Sequence, residues 1–143
     1  MFMEGTRNVT IDECHFEKVD GNAVFLSGFN HNNTISRSEF VWVGDSAIAA
    51  WGYTRSDDPR MPAGTGDDGT NGNQPRGTQV LFNVMHELGT NQKQSSPWFQ
   101  AKSCMNRLEG NLMYNLPRAA INFVSLCVGA PVSYTHLTLP TKA

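Results

Sequence analysis

The sequence predicts an all-β fold of the parallel β-helix type, a solenoid in which short strands stack in columns. Two observations favour it: one apolar register recurs four times, and each copy reads as short alternating runs separated by Asn, Asp and Gly. A third observation disfavours the helical alternatives, because no 3.6-residue apolar period is sustained for three turns. A register that repeats at intervals of this size is typical of stacked structural repeats.

The positions of this repeating register predict where the strands lie. Its origins are 24, 45 and 28 positions apart, and the longer intervals indicate an insertion of about 21 residues in the second copy and of five in the third. Apolar residues stand at each origin and at five, eight and thirteen positions beyond it, except that the third copy reaches its last position five residues late. The aligned sets are Ile11, Ile35, Val80 and Leu108; Phe16, Phe40, Met85 and Met113; Val19, Val43, Leu88 and Leu116; and Val24, Ile48, Trp98 and Ile121.

The first copy shows how the register becomes strands. Residues 10–12 form one predicted strand, and residues 15–17 form a second in which Phe16 points inward. A turn at residues 20–22 leads to a third strand over 23–27. Three such strands cannot bury a face alone, so we expect successive copies to bury one another's inward side chains in a column.

A polar position follows each origin by three residues. It holds Cys14, Ser38, Asn83 and Asn111 in turn. Stacked Asn side chains at a tight turn can hydrogen-bond from one copy to the next, which predicts a ladder at this corner. The alternative is that Asn simply suits turns.

Two stretches carry a family resemblance, Gln94–Lys102 with the sequence QSSPWFQAK and Asn115–Phe123 with NLPRAAINF. With the repeat over residues 6–123, they resemble the right-handed parallel β-helix, or pectin-lyase-like, superfamily and its carbohydrate-active subgroup. The resemblance implies a right-handed helix of about four coils, incomplete and uncapped at its C-terminal end. It also implies a secreted or extracellular parent whose cleft is completed by a later coil.

The C-terminal segment leaves this pattern. Residues 132–141, VSYTHLTLPT, resemble a translated transposase sequencing adapter, and such a segment is excluded from reasoning about the fold. We therefore expect a partial β-helix domain over residues 1–123, a non-family segment over 124–131 and an adapter-derived tail over 132–143. The chain is then expected to be a fragment.

The composition disfavours several classes of partner and site. The net charge is −2 and the basic residues are scattered, which disfavours nucleic acid. No run of 18 apolar residues is present, so we expect no membrane span, and residues 1–4 lack the pattern of a signal peptide. The three cysteines do not occupy matching repeat positions, so we expect no disulfide framework. The sequence does not indicate an oligomeric state.

The insertion over residues 53–76 is the first candidate site, because insertions in solenoids often form the binding face. Asp57 and Asp58 are the candidate catalytic residues, since glycoside hydrolysis needs two carboxyl groups. Asp67 and Asp68 offer hard oxygen ligands to Ca²⁺, while no other cofactor is expected. The alternative for all four is a solvated loop rich in ordinary Asp-Gly and Asp-Pro steps.

The outer face of the strand that ends at Trp51 is the second candidate. Alternation points Trp51 outward beside Ser27 and Ala101, with Phe25 and Phe99 one step along, a surface on which a sugar ring can stack. We also assign Lys102, Arg118 and Asn122 to substrate binding; the two cations would hold uronate or sulfate groups or serve as a lyase base, unless they are ordinary surface charges. His15 and His86 are predicted to be isolated, outward-facing and without a metal role.

Together these features indicate a fragment of a polysaccharide-acting β-helix protein, a glycosidase or a polysaccharide lyase, with the fragment itself inactive. Its expected partner is a polysaccharide or oligosaccharide. The alternative is a non-catalytic carbohydrate-binding or adhesive β-helix.

Overall fold

The computed structural model describes residues 1–53 and 73–124 and the backbone of residues 133–135, and these residues form strands and turns without a helix. The strands are β1 (Phe2–Arg7), β2 (Thr10–Asp12), β3 (His15–Glu17), β4 (Val24–His31), β5 (Thr34–Ser36), β6 (Glu39–Val43), β7 (Ile48–Trp51), β8 (Pro75–Arg76), β9 (Gln79–Leu81), β10 (Val84–Leu88), β11 (Trp98–Ala101), β12 (Arg107–Glu109), β13 (Leu112–Tyr114), β14 (Ile121–Val124) and β15 (Ser133–Thr135).

These strands form three sheets in which every pair of strands is parallel. Sheet A has the order β1-β4-β7-β11-β14, with β8 also paired to β4. Sheet B has the order β15-β12-β9-β5-β2, and sheet C the order β13-β10-β6-β3. Since the chain visits the sheets in the order A, B, C and then returns to A, each strand pairs with the equivalent strand of the next copy, as in a parallel β-helix. β15 lies in the segment predicted to be adapter-derived and pairs with β12.

The pairing confirms the register that the sequence predicts. Ile11 pairs with Ile35, Ile35 with Val80 and Val80 with Leu108 in sheet B. Sheet C aligns Phe16, Phe40, Met85 and Met113 and also pairs Val43 with Leu88. Sheet A aligns Val24, Ile48, Trp98 and Ile121, which places Trp98 opposite Ile48 despite its five-residue offset. The inward residues form one buried core column: Val24, Leu26, Ile35, Phe40, Ile48, Val80, Met85, Trp98 and Met113 are each at most 1% exposed.

Polar side chains link the copies at the corner between sheets B and C, as predicted. The backbone amide of Cys14 donates to Oγ of Ser38 (3.1 Å), and that of Ser38 donates to Oδ1 of Asn83 (3.0 Å). The amide of Asn83 donates in turn to Oδ1 of Asn111 (3.0 Å). Because the amides of Ser38 and Asn83 are buried, these side chains supply the partners that water would otherwise supply.

Two further polar ladders occupy the other corners, and the sequence analysis did not anticipate them. Between sheets A and B, the amide of Thr78 donates to Oδ1 of Asn106 (3.1 Å), and an equivalent bond joins the first two copies at Asn33. Between sheets C and A, the amide of Ser46 donates to Oδ1 of Asn22 (3.1 Å), and that of Ser96 to Oγ of Ser46 (3.2 Å). All three corners therefore hydrogen-bond along the stack.

Three equivalent positions of the repeat have a left-handed backbone conformation in every copy. The first lies at the corner between sheets A and B, the second at the corner between sheets B and C, and the third at the C-terminal end of the sheet C strands, where Trp42 and Glu87 lie within β6 and β10. These residues are Asn8, Asn32, Gly77 and Met105; Glu13, Arg37, Phe82 and Gly110; and Lys18, Trp42, Glu87 and Asn115. The conformation costs about 1–2 kcal/mol for a non-glycine residue. Phe82 and Trp42 adopt it although aromatic residues disfavour it. At Phe82 the backbone amide donates to the Glu109 carbonyl (2.9 Å) of the next copy, and this stacking bond offsets the local preference.

Gln100 is a buried amide that the register places in the core of sheet A. It pairs with Ala50, so the five-residue insertion before it does not shift the register. Its Oε1 accepts from Nε1 of Trp98 (3.0 Å) and Nδ2 of Asn106 (3.1 Å), and its Nε2 donates to the Ser103 carbonyl (2.7 Å). These bonds offset the cost of burying the amide.

The long insertion leaves sheet A between two strands that pair with the same neighbour. β7 pairs with the first half of β4, and β8 pairs with its second half. At the neck, the amide of Tyr53 donates to the Asn73 carbonyl (2.9 Å). Pro75 and Arg76, the end of the range assigned to the insertion, therefore lie in the sheet, whereas residues 54–72 lie outside the described part of the chain.

Candidate functional site

The outer face of sheet A carries two rows of side chains that cross the strands. One row joins Phe25, Ala49, Phe99 and Asn122. The other joins Ser27, Trp51, Ala101 and Val124, one step of the alternation further along. The predicted placement of Trp51 between Ser27 and Ala101, with Phe25 and Phe99 nearby, is therefore confirmed.

A groove of about 300 Å³ lies over these rows, and we call it the aromatic groove. The rings of Trp51 and Phe99 lie with centroids 5.7 Å apart and planes inclined by 25°. Ala49 lies between Phe25 and Phe99 in the first row. Because its side chain is small and buried, it forms the floor of a shallow depression between the larger residues. The lining residues are Asn22, Phe25, Asp45, Ser46, Ala49, Trp51, Gln94 and Phe99.

Polar groups rim the groove at the turn that precedes the strands of sheet A. Oδ1 of Asp45 accepts from Oγ of Ser95 (2.8 Å), which fixes the carboxylate at the rim. Oε1 of Gln94 accepts from Nη1 of Arg118 (3.4 Å). Asp45 is the sole carboxylate among the described residues that line the groove. An apolar floor with a few convergent polar groups is the usual form of a small-molecule site.

The predicted substrate-binding residues divide between this groove and its surroundings. Trp51 lines the groove and is 39% exposed, and Asn122 is half-buried beside Phe99 on the same row. Arg118 is exposed and reaches the rim through Gln94. Lys102 does not line the groove: it follows the last residue of β11, and its carbonyl oxygen packs against Gly52.

The predicted catalytic pair, Asp57 and Asp58, lies outside the described residues, as do the Ca²⁺ candidates Asp67 and Asp68. The neck from which this segment departs is described. Tyr53 hydrogen-bonds through its hydroxyl to Oγ of Ser27 (2.7 Å), which lies next to Trp51 in the sheet. The insertion therefore begins beside the aromatic groove.

The polar rim of the groove was not predicted from the sequence. Asn22 and Ser46 occupy equivalent positions of the repeat, two residues before β4 and β7 begin, and Asp45 directly precedes Ser46. That recurrence was a usable signal, because residues at equivalent turns lie at the same end of a sheet.

A second polar cluster lies on the outer face of sheet C. Nδ1 of His15 lies 2.9 Å from Oε2 of Glu39, and Nε2 of His86 lies 3.2 Å from Oε1 of the same carboxylate. The hydrogen bond to His86, reinforced by His15, lowers the pKa of Glu39 below its ordinary value. Both histidines face outward as predicted, but the expectation that they are isolated is wrong, because parallel stacking brings three copies of the repeat to one carboxylate.

Across residues 1–53 and 73–124, no group of three or more His, Cys, Asp or Glu side chains is arranged to hold a metal ion. Cys14 and Cys104 are free thiols. The described residues include no helix long and apolar enough to cross a membrane. No family model, curated protein or solved structure matches the chain.

Proposed function

We propose that this chain is part of a right-handed parallel β-helix protein of the pectin-lyase-like superfamily, with about four coils here, whose parent acts on polysaccharide as a glycosidase or a lyase. The three parallel sheets and the stacked polar corners support the solenoid on which the proposal rests. Handedness and family membership come from the resemblance of residues 94–102 and 115–123.

The observation that carries the proposed function is the aromatic groove. A pyranose ring has apolar C–H faces and a polar rim of hydroxyl groups. Trp51 and Phe99 offer aromatic faces to the former, and Asn22, Asp45 and Gln94 offer hydrogen-bonding groups to the latter. The groove is partly open to solvent, which suits a polymer better than an enclosed pocket would.

A tryptophan substitution tests this assignment. We expect Trp51→Ala to weaken binding of the preferred oligosaccharide at least about tenfold, corresponding to about 1.4 kcal/mol. Trp42→Ala is the matched control, because Trp42 is also exposed (49%) but lies on sheet C. Calorimetric titration against neutral and acidic oligosaccharides would measure both affinities, with circular dichroism to check folding. Equal affinities for the two variants would reject the groove as the sugar site.

We propose Asp57 and Asp58 as the catalytic carboxylates of the parent, and no activity for the fragment. The proposal is supported by the position of Trp51, which lies two residues before Tyr53 at the neck of the insertion. Asp57→Asn and Asp58→Asn in the full-length parent should each lower kcat by at least about a hundredfold if the groups act as acid and base. Unchanged turnover would remove them from catalysis.

A non-catalytic carbohydrate-binding or adhesive β-helix is the second candidate. It is favoured by the single carboxylate, Asp45, among the described residues that line the groove, since hydrolysis uses a pair. Product assays distinguish the two: new reducing ends indicate hydrolysis, and new unsaturated ends indicate elimination. Binding by the full-length parent without either product would favour the adhesive function.

The remaining assignments follow from the same proposal. Lys102 and Arg118 would contact acidic groups of the polymer, Asn122 would donate to a hydroxyl group, and Asp67 and Asp68 would hold Ca²⁺. The parent would act outside the cell, where such polymers occur. Calcium titration of the parent, with Asp67→Asn as the variant, tests the cation assignment.

A further inference from the structure

Two tripeptides at one corner of the solenoid match the acceptor motif for N-linked glycosylation, Asn-x-Ser/Thr. They are residues 8–10 (NVT) and residues 32–34 (NNT), and the other asparagines of the chain do not begin such a motif. Because Thr10 pairs with Thr34 in sheet B, the two motifs stack on each other at the corner between sheets A and B. We call this corner, residues 8–10 and 32–34, the sequon edge.

Both acceptor asparagines present their side chains to solvent. Asn8 and Asn32 are exposed, whereas the ladder residue Asn83 is buried. Their backbones belong to the stack: the amide of Asn8 donates to the His31 carbonyl (2.9 Å). The amide of Asn32 donates to the Arg76 carbonyl (2.9 Å) in the same way. Among the described residues, neither side-chain amide has a hydrogen-bond partner. A sugar attached to Nδ2 would therefore break no bond that holds the fold.

The fold itself requires neither residue of the motif. The third and fourth copies carry Gly77 and Met105 at the asparagine position, with the same left-handed backbone. At the threonine position they carry Gln79 and Arg107, which continue the row of Thr34 in sheet B. Since methionine adopts this corner conformation and a long polar side chain fits the row, stacking alone does not explain an asparagine followed by a threonine in both of the first two copies.

The sequon edge lies away from the aromatic groove. Asn32 follows the last residue of β4, whereas Phe25, which lines the groove, is the second residue of that strand. Seven residues separate Phe25 from Asn32, which corresponds to roughly 20 Å of extended chain. A Cβ at Gly77 would meet Oδ1 of Asn32, so the glycine of the next copy leaves room for this side chain. An oligosaccharide on the sequon edge would thus leave the groove accessible.

We propose that Asn8 and Asn32 carry N-linked oligosaccharides in the parent protein. The donor is a lipid-linked oligosaccharide diphosphate of the secretory pathway. The bond from Nδ2 of the asparagine to C1 of the first sugar forms, and the bond from C1 to the diphosphate oxygen breaks. The lipid diphosphate leaves with that electron pair, and the amide nitrogen gives up one proton. The proposal rests on the proposed location of the parent outside the cell and not on its polysaccharide activity.

Intact mass spectrometry of the full chain tests the proposal, with the chain exported from eukaryotic cells behind a cleavable signal peptide and measured before and after N-glycosidase treatment. We expect an N-glycan at each site, loss of one glycan in Asn8→Gln or Asn32→Gln, and loss of both in the double variant. Thr10→Ala should remove the same glycan as Asn8→Gln, whereas Thr10→Ser, which keeps the motif, should retain it. Asn91→Gln is the matched control, because Asn91 is exposed but begins no motif.

Both the medium and the cell lysate are measured, so a variant that is not released still gives a mass. A chain that has lost its signal peptide but carries no N-glycan would overturn the proposal, as would glycans that persist in the double variant. A full-length parent that lies inside the cell without glycans, beside an exported chain that carries them, would overturn it through the location and not through the acceptor residues. Trp51→Ala should leave both glycans in place, so failure of the sugar-binding groove is distinguishable.

Discussion

Replacing Asn83 with alanine tests whether the polar corners hold the solenoid together. The Asn83 side chain is fully buried in the corner between sheets B and C. Its Oδ1 accepts from the Ser38 amide (3.0 Å), and its Nδ2 donates to the Ile35 carbonyl (2.9 Å) and to Oδ1 of Asn111 (3.0 Å). One side chain therefore connects three copies of the repeat.

The magnitude follows from these three bonds. Each is worth about 1 kcal/mol net, and a buried group left without a partner costs about 1–3 kcal/mol, so Asn83→Ala should lower the free energy of unfolding by at least about 3 kcal/mol. A small domain has a total stability of only about 5–15 kcal/mol. Urea denaturation followed by circular dichroism should therefore show a large drop in midpoint at similar slope.

Asn91→Ala is the control, because Asn91 is exposed and makes a single 3.3 Å side-chain bond to the Asp20 carbonyl. It should change stability by less than about 0.5 kcal/mol. A loss below about 1 kcal/mol for Asn83→Ala would refute the reasoning, since water or a neighbour would then replace all three bonds.

Substitutions at Gly52 and Glu39 test two other features of the structure. Gly52→Ala should destabilise the chain by at least about 2 kcal/mol, because the added Cβ would overlap the Lys102 carbonyl oxygen. Gly21→Ala should be nearly neutral, because there is open space at its Cβ. Urea midpoints measure both variants, and equal effects would contradict this packing. Glu39→Gln should make the free energy of unfolding depend less on pH in the acid range. The hydrogen bond from His86 lowers the folded-state pKa of Glu39, so its contribution is present above the unfolded value of about 4.3 and lost as pH falls below it. An unchanged acid limb in midpoints measured at successive pH values would count against this.

The core was predictable from the sequence because it depends only on the spacing of apolar residues along the chain. Inward residues such as Ile35 and Met85 stand at fixed offsets, and parallel stacking converts equal offsets directly into contacts. Even Trp98 could be placed, since an insertion at a turn delays a strand without changing its face.

The outer features were less predictable because they depend on residues that follow no apolar period. Asp45 lies in a turn, so its position at the groove becomes evident only when the turns are stacked. The contact of Glu39 with His15 and His86 joins side chains 24 and 47 positions away. The left-handed backbone of Trp42, which lies within β6, contradicts the preference of its residue type.

Because β4 pairs with β7 along its first half and with β8 along its second half, the insertion between β7 and β8 can change without a change in the sheet. Its two ends are anchored on one continuous strand and joined at Tyr53 and Asn73, so the repeats on either side keep their register whatever length of chain lies between. Closing a loop twice as long would cost only about 0.6 kcal/mol more. A different loop can therefore be accommodated beside the same aromatic floor without rebuilding the core.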